Sequence, residues 1–160
     1  MDKHFLTPLF QPETIAVFVG DADTPEKQTP TALALSAAIK AQNFSGKLVF
    51  LDIHTSGTLA DLAQTRADLA IIALSPADTL AALELAGRIK CRAAVVLGTG
   101  IKTAEATEMH QLAKRHGMYL LGPNGMGFQR PRLGLNASVV GNMAAKGPLA
   151  LVSQSGALTS

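Results

Sequence analysis

The chain contains no tryptophan, one tyrosine and a single cysteine. The near-absence of aromatics argues against an aromatic-rich sandwich. One cysteine cannot make a disulfide framework or a cysteine metal cluster, so Cys91, just ahead of an apolar run, reads as a small core side chain. Long hydrophobic runs are missing as well. No apolar segment approaches the ~18 residues of a membrane span, and Met1-Asp-Lys-His-Phe-Leu6 lacks the apolar stretch of a signal peptide. The expectation is a cytoplasmic protein with no membrane partner. Neither charge sign dominates: 14 basic and 12 acidic residues leave a formal net charge of +2, and the basic residues are scattered. No nucleic-acid partner is expected on that basis. The histidines His4, His54, His110 and His116 form no metal-ligand spacing, so they are placed on the surface and no metal site is expected.

What is present is 160 residues, 48% of them hydrophobic and 14 of them glycine, with many alanines. That length suits one domain burying about 70% of its unfolded surface. Short apolar runs alternate with helical patterns along the chain. Ile15–Val19 ends at Gly20 and reads as a first strand, introduced by the turn-like Gln11-Pro-Glu13. A helix over Ala32–Gln42 follows, with Thr31 as its cap. Leu48–Leu51 and Leu69–Leu74 are continuous apolar runs of the kind a parallel sheet buries on both faces, with room between them only for a short turn or helix around Leu59–Ala63. Ser75 followed by Pro76 is a cap with a first-turn proline, opening a helix to Lys90. Ala93–Leu97 is a fourth strand. Lys102–His116 is a helix turning Ala106, Met109, Leu112 and Ala113 to the sheet, and Met118–Leu121 is a short last strand.

Strands alternating with helices predict an α/β fold, a Rossmann-like open parallel sheet with helices on both faces. Ligands of such sheets lie beyond the carboxyl ends of the strands, which here carry Gly20, Ser75-Pro76, Gly98-Thr-Gly100 and Gly122-Pro-Asn124. Glycines let a backbone approach a pyrophosphate closely, and amides at helix starts bind anions. Ser153-Gln-Ser-Gly156, after the apolar Leu149–Val152, is a second hydroxyl-rich turn where a helix should begin.

Taken together, the strand ending at Gly20, Asp68-Leu-Ala-Ile-Ile72, Gly117-Met-Tyr-Leu-Leu-Gly-Pro-Asn124, Gly134-Leu-Asn-Ala-Ser138 and Gly147-Pro-Leu-Ala-Leu-Val-Ser-Gln-Ser-Gly156 resemble the amino-terminal region of nucleoside-diphosphate-forming acyl-CoA synthetases. The resemblance covers nearly the whole chain and implies a CoA-binding domain over residues 1–146. It makes residues 147–160 the start of a succinyl-CoA-synthetase-like, flavodoxin-type domain. Within that superfamily, Gly134–Ser138 and Leu9–Ala16 look closest to large fused proteins that join a synthetase-like region to an N-acetyltransferase domain and acetylate protein lysines.

The resemblance implies that CoA or acetyl-CoA lies across Gly20, Ser75, Pro76, Thr99, Gly100, Ile101, Gly122, Pro123 and Asn124. Ser153, Ser155 and Gly156 correspond to a turn that helps hold the phosphate of a phosphohistidine, and none of the four histidines matches that residue. The implied partners are acyl-CoA and downstream domains of the same polypeptide, and the apolar tail offers a route to self-association.

Two segments depart from the family pattern. Gly20-Asp-Ala-Asp-Thr-Pro-Glu26 stands where relatives read Gly-Ala-Ser, and Leu51-Asp-Ile-His54 stands where they often carry Val-Asn-Pro. Asp21, Asp23 and Glu26 oppose phosphate, and Asp52 suits an unphosphorylated ribose better than the 3′-phosphate of CoA. Three readings follow: a CoA- or acyl-CoA-sensing regulatory domain of a fused lysine acetyltransferase, the CoA-binding part of an NDP-forming acyl-CoA synthetase working through a phosphohistidine, or a scaffold domain without ligand. No nucleophile or acid–base pair is identifiable, so the chain alone is expected to bind rather than turn over.

Overall fold

A computed structural model of the chain describes residues 4–21, 24–54 and 65–156. The segment Leu59–Ala63, residue Asp23 and the start of a helix after Gly156 lie outside the described residues. The helices are α1 (Thr7–Phe10), α2 (Pro30–Lys40), α3 (Pro76–Arg88) and α4 (Thr103–Arg115). The strands are β1 (Thr14–Phe18), β2 (Lys47–Phe50), β3 (Leu69–Ile72), β4 (Ala93–Leu97), β5 (Tyr119–Gly125), β6 (Gly127–Arg130) and β7 (Leu135–Ser138).

Strands β1 to β5 form one parallel sheet in the order β2-β1-β3-β4-β5, a Rossmann-like α/β arrangement. Because side chains alternate along a strand, β1 sends Ala16 and Phe18 to one face and Ile15 and Val17 to the other. The first face is covered by α3 and α4. Thr79, Ala82, Leu83, Ala86 and Gly87 form one stripe of α3, and Met109, Leu112 and Ala113 one stripe of α4. The opposite face is covered by Ala32, Leu35 and Ile39 of α2, by Leu9 of α1, and by Leu135 and Ala137 of β7. No helix among the described residues is long and apolar enough to cross a membrane.

Several boundaries differ from the sequence expectation. The cap of α2 is Thr29, not Thr31: its hydroxyl accepts from the Ala32 amide, and Pro30 opens the helix because a first-turn residue has no use for its N–H. Strand β2 is not buried on both faces. It is the sheet edge, with Phe50 38% exposed and the Lys40 ammonium 5.4 Å from its ring centre. Strand β5 does not stop at Leu121 but runs on through Gly-Pro-Asn to Gly125, with a register shift against β4 between Val95 and Leu97. The antiparallel pair β6–β7, which the sequence reading left unassigned, lies against α2. Residues 149–152 form no strand. Nothing in the sheet pairs with them, and Leu149, Leu151 and Val152 are 95%, 74% and 94% exposed.

Candidate functional site

All five sheet strands point the same way, so Gly20, Ser75, Gly98–Ile101 and Gly122–Asn124 share the carboxyl edge of the sheet. Strand order reverses between β1 and β3, which places the crevice of the fold at Gly20 and Ser75. Their neighbours close it from both sides. The Thr29 hydroxyl donates to the Ala73 carbonyl at 3.3 Å, tying the start of α2 to the end of β3. The Gln28 amide donates to the Asp21 carbonyl at 2.9 Å.

The loop from β4 to α4 is the most open backbone of this edge. Gly98 and Gly100 have φ of 131° and 82°, and a Cβ on either would meet nothing within 4 Å. Thr99 and Gly100 are exposed, whereas the Ile101 side chain belongs to the core and only its backbone reaches the loop. Asn124 fixes that backbone. Its Oδ1 accepts from the Ile101 amide at 3.0 Å and its Nδ2 donates to the Ile101 carbonyl at 2.9 Å. Asn124 itself sits at φ 60°, a left-handed conformation that asparagine tolerates better than most residues.

Gly122 has a different reason to be glycine. A Cβ there would run into the Val96 carbonyl, so the close approach of β5 to β4 demands it, whatever binds above. The peptide bond between Gly122 and Pro123 is cis. Ser75 caps α3: its Oγ accepts from the Asp78 amide at 3.3 Å and donates to Asp78 Oδ2 at 2.8 Å, and Pro76 occupies the first turn.

The sequence reading missed what else sits at these helix starts. The carboxylate of Asp78 lies in the first turn of α3, and Glu105 accepts from the Lys102 amide at 2.8 Å at the start of α4. Both helix dipoles therefore face a carboxylate of their own chain. The signals were legible as Ser75-Pro-Ala-Asp78 and Lys102-Thr-Ala-Glu105, each an acid three residues after the cap. Only α2 among these three helices lacks an acid in its first turn. His54, beyond β2, approaches Asp78 at 3.9 Å, and the His54 amide donates to Asp52 Oδ1 at 2.9 Å. Asp21 accepts from the Thr24 hydroxyl at 3.1 Å. The crevice is thus fenced by acids.

The tail turn packs beside the end of β5. Ser153 Oγ accepts from the Ser155 amide at 3.0 Å, and Gly156 packs so closely on Met126, in the turn between β5 and β6, that a Cβ would strike the thioether. Among the described residues no three His, Cys, Asp or Glu side chains gather as a metal site. Cys91 is buried, and burial first, then the Asp68 charge, push its thiol up to about 12.

Comparison with known proteins adds a specific relationship. Over 96 residues, 56% of this chain, the sequence is 35% identical to the ADP-forming acetate–CoA ligase I of Archaeoglobus fulgidus. Over 95 residues, 57% of the chain, it is 30% identical to the ADP-forming acetate–CoA ligase of Methanocaldococcus jannaschii. The chain spans 14% of the length of each ligase. Among solved structures, the dinucleotide-forming acetyl-coenzyme A synthetase 1 of Ca. Korarchaeum cryptofilum, in complex with phosphate and ADP, superposes with a TM-score of 0.80 at 25% identity, over 96% of this chain and 34% of that one. A protein of Pyrococcus horikoshii OT3 superposes with a TM-score of 0.77 at 24% identity, over 96% and 37%, and shows the same fold. No family model matches the chain. These matches show homology to archaeal ADP-forming acetyl-CoA synthetases.

Proposed function

We propose that this chain is the CoA-binding part of an NDP-forming acyl-CoA synthetase. The reading is carried by one conjunction: an open, glycine-flanked loop clamped at the carboxyl edge of a parallel sheet, in a chain similar to two ADP-forming acetate–CoA ligases. Thr99 and Gly100 offer backbone amides to a pyrophosphate, with no side chain at Gly98 or Gly100 to obstruct it, and Gly20, Ser75 and Pro76 wall the crevice beside them. Asn124 and Ile101 hold the loop in shape, and Gly122 and Pro123 hold the strand beneath it. CoA, when bound, supplies the thiol that becomes acylated. The chain's own residues bind and orient the coenzyme, and residues from 147 onward, with Ser153, Ser155 and Gly156, belong on this reading to a following domain that handles phosphate.

The reading as a sensing domain of a fused lysine acetyltransferase would use the same rim. One of its two distinguishing segments, Gly134–Ser138, has a packing explanation instead. Leu135 and Ala137 are buried beneath α2, and Ser138 Oγ donates to Asn136 Oδ1 at 2.6 Å within the protein. The similarity to ligases favours the synthetase reading.

Calorimetric titration with CoA and with dephospho-CoA, which lacks the 3′-phosphate, tests the proposal. Saturable binding is expected. Thr99→Asp, at an exposed loop position, should weaken CoA by about tenfold, and Asp78→Asn, which removes a carboxylate from the rim, should strengthen it by a few-fold. Folded protein that binds neither coenzyme would establish the scaffold reading in its place.

A further inference from the structure

At the opposite end of the sheet, where β1 and β2 begin, an open groove of about 550 Å³ runs between Gln11–Glu13, Ser45–Gly46 and the turn Arg130–Leu133 that joins β6 to β7. Its walls are fixed by backbone. The Ser45 amide donates to the Leu133 carbonyl at 3.0 Å, the Lys47 amide donates to the Glu13 carbonyl at 2.8 Å, and a Cβ at Gly134 would run into the Asn43 carbonyl. Arg130 and Arg132 line this groove, and neither makes an ion pair or a side-chain hydrogen bond among the described residues. The Arg130 Nε atom is buried and has no acceptor among the described residues. A buried charged donor without an acceptor is costly, and native proteins seldom leave one so.

We propose that this groove is a second binding site, for an oxyanion of phosphate or carboxylate type, independent of the coenzyme rim. Two guanidinium forks match the planar or tetrahedral oxygens of such a group, and the amide of Gln11 and hydroxyl of Ser45 add neutral partners. Glu13 also lines the groove, although neither arginine bonds to it. That carboxylate limits the site to a group of low charge and disfavours a polyanion.

The test is nuclear magnetic resonance of the ¹⁵N-labelled chain, following the Arg130 Nε–H signal. Inorganic phosphate and acetate are titrated separately, and sodium chloride at matched ionic strength is the control. Saturable movement with phosphate or acetate but not with chloride is expected, and whichever saturates names the chemistry of the ligand. In Arg132→Gln, an exposed position whose replacement should leave the fold intact, the apparent affinity should drop about tenfold. Lys102→Gln, at the rim, should leave it unchanged. Movement that is linear in concentration, equal with chloride, or undiminished in Arg132→Gln would overturn the proposal.

Discussion

Replacing Asn124 separates two contributions that its position combines. The side chain makes two hydrogen bonds to the Ile101 backbone, at 3.0 and 2.9 Å, and its own backbone is left-handed. Asn124→Gly removes both bonds but suits the φ. At about 1 kcal/mol per bond, reduced because water reaches this exposed residue, the loss is roughly 1–2 kcal/mol. Asn124→Ala removes the same bonds and places a Cβ in the left-handed region, adding about 1 kcal/mol for a total of roughly 2–3 kcal/mol. For a domain of this size each kcal/mol moves Tm by about 2–4 °C, so the alanine variant should melt about 4–12 °C lower. Urea unfolding followed by far-ultraviolet circular dichroism gives both values, since the chain has no tryptophan to report fluorescence. Both variants should also weaken CoA, because the loop over residues 98–101 loses its clamp. If glycine destabilises as much as alanine, or if both cost less than about 0.5 kcal/mol, the clamp is not what fixes this loop.

Other outcomes follow from the same geometry. Gly122→Ala, whose Cβ meets the Val96 carbonyl, should lower stability by more than about 2 kcal/mol, and Gly100→Ala, with open space around it, by about 1 kcal/mol; urea midpoints of the pair give the comparison. The His116 hydrogen bond and then Arg88 hold the Glu84 carboxyl below its ordinary value. A carboxylate whose folded pKa is depressed contributes stability above its unfolded pKa and loses it as pH falls through the folded one, so Glu84→Gln should flatten the acid limb of Tm against pH below about 4.5. With its thiol pushed up to about 12, Cys91 should react with Ellman's reagent at pH 8 only after unfolding, and fast reaction of the native chain would contradict its burial. Deleting residues 147–160 should leave Tm essentially unchanged, because the apolar side chains of residues 149–152 are exposed; loss of cooperative unfolding would show that the tail supports the core.

The parallel sheet was legible because its strands are continuous apolar runs and its helices carry caps. Ser75-Pro76 marked the start of α3 to the residue. Strand β2 was misplaced into the interior because an apolar run does not reveal its position in the sheet. Its order depends on the crossover from β1, which composition cannot show. The hairpin β6–β7 escaped notice since Pro131 and Gly134 read as loop, while Phe128, Leu135 and Ala137 supply too few apolar residues for a convincing period of two. At the rim, the glycines and the Gly-Pro-Asn turn were visible, but the work of Asn124 was not. Its partner lies 23 residues away across a strand, and only the fold brings them together.

The acids of the rim follow from how its helices begin. A helix start has amides without internal partners, and these can be met either by the chain itself or by a ligand. In α3 the Ser75 hydroxyl and the Asp78 carboxylate act at that end, and in α4 the Glu105 carboxylate takes the Lys102 amide. Each arrangement stabilises its helix by about 0.5–2 kcal/mol, and each puts a negative charge where a phosphate would otherwise gain from the dipole. The anion-binding capacity that remains is the backbone of residues 98–100, since Asn124 takes the Ile101 amide, and the start of α2, whose cap is the neutral Thr29. Phosphate affinity at this rim therefore rests on the geometry of one clamped loop more than on helix dipoles, and charge on the ligand raises the cost of approaching Asp78 and Glu105. A coenzyme with fewer phosphates is favoured by that balance, so dephospho-CoA should bind at least as tightly as CoA even though it makes fewer contacts.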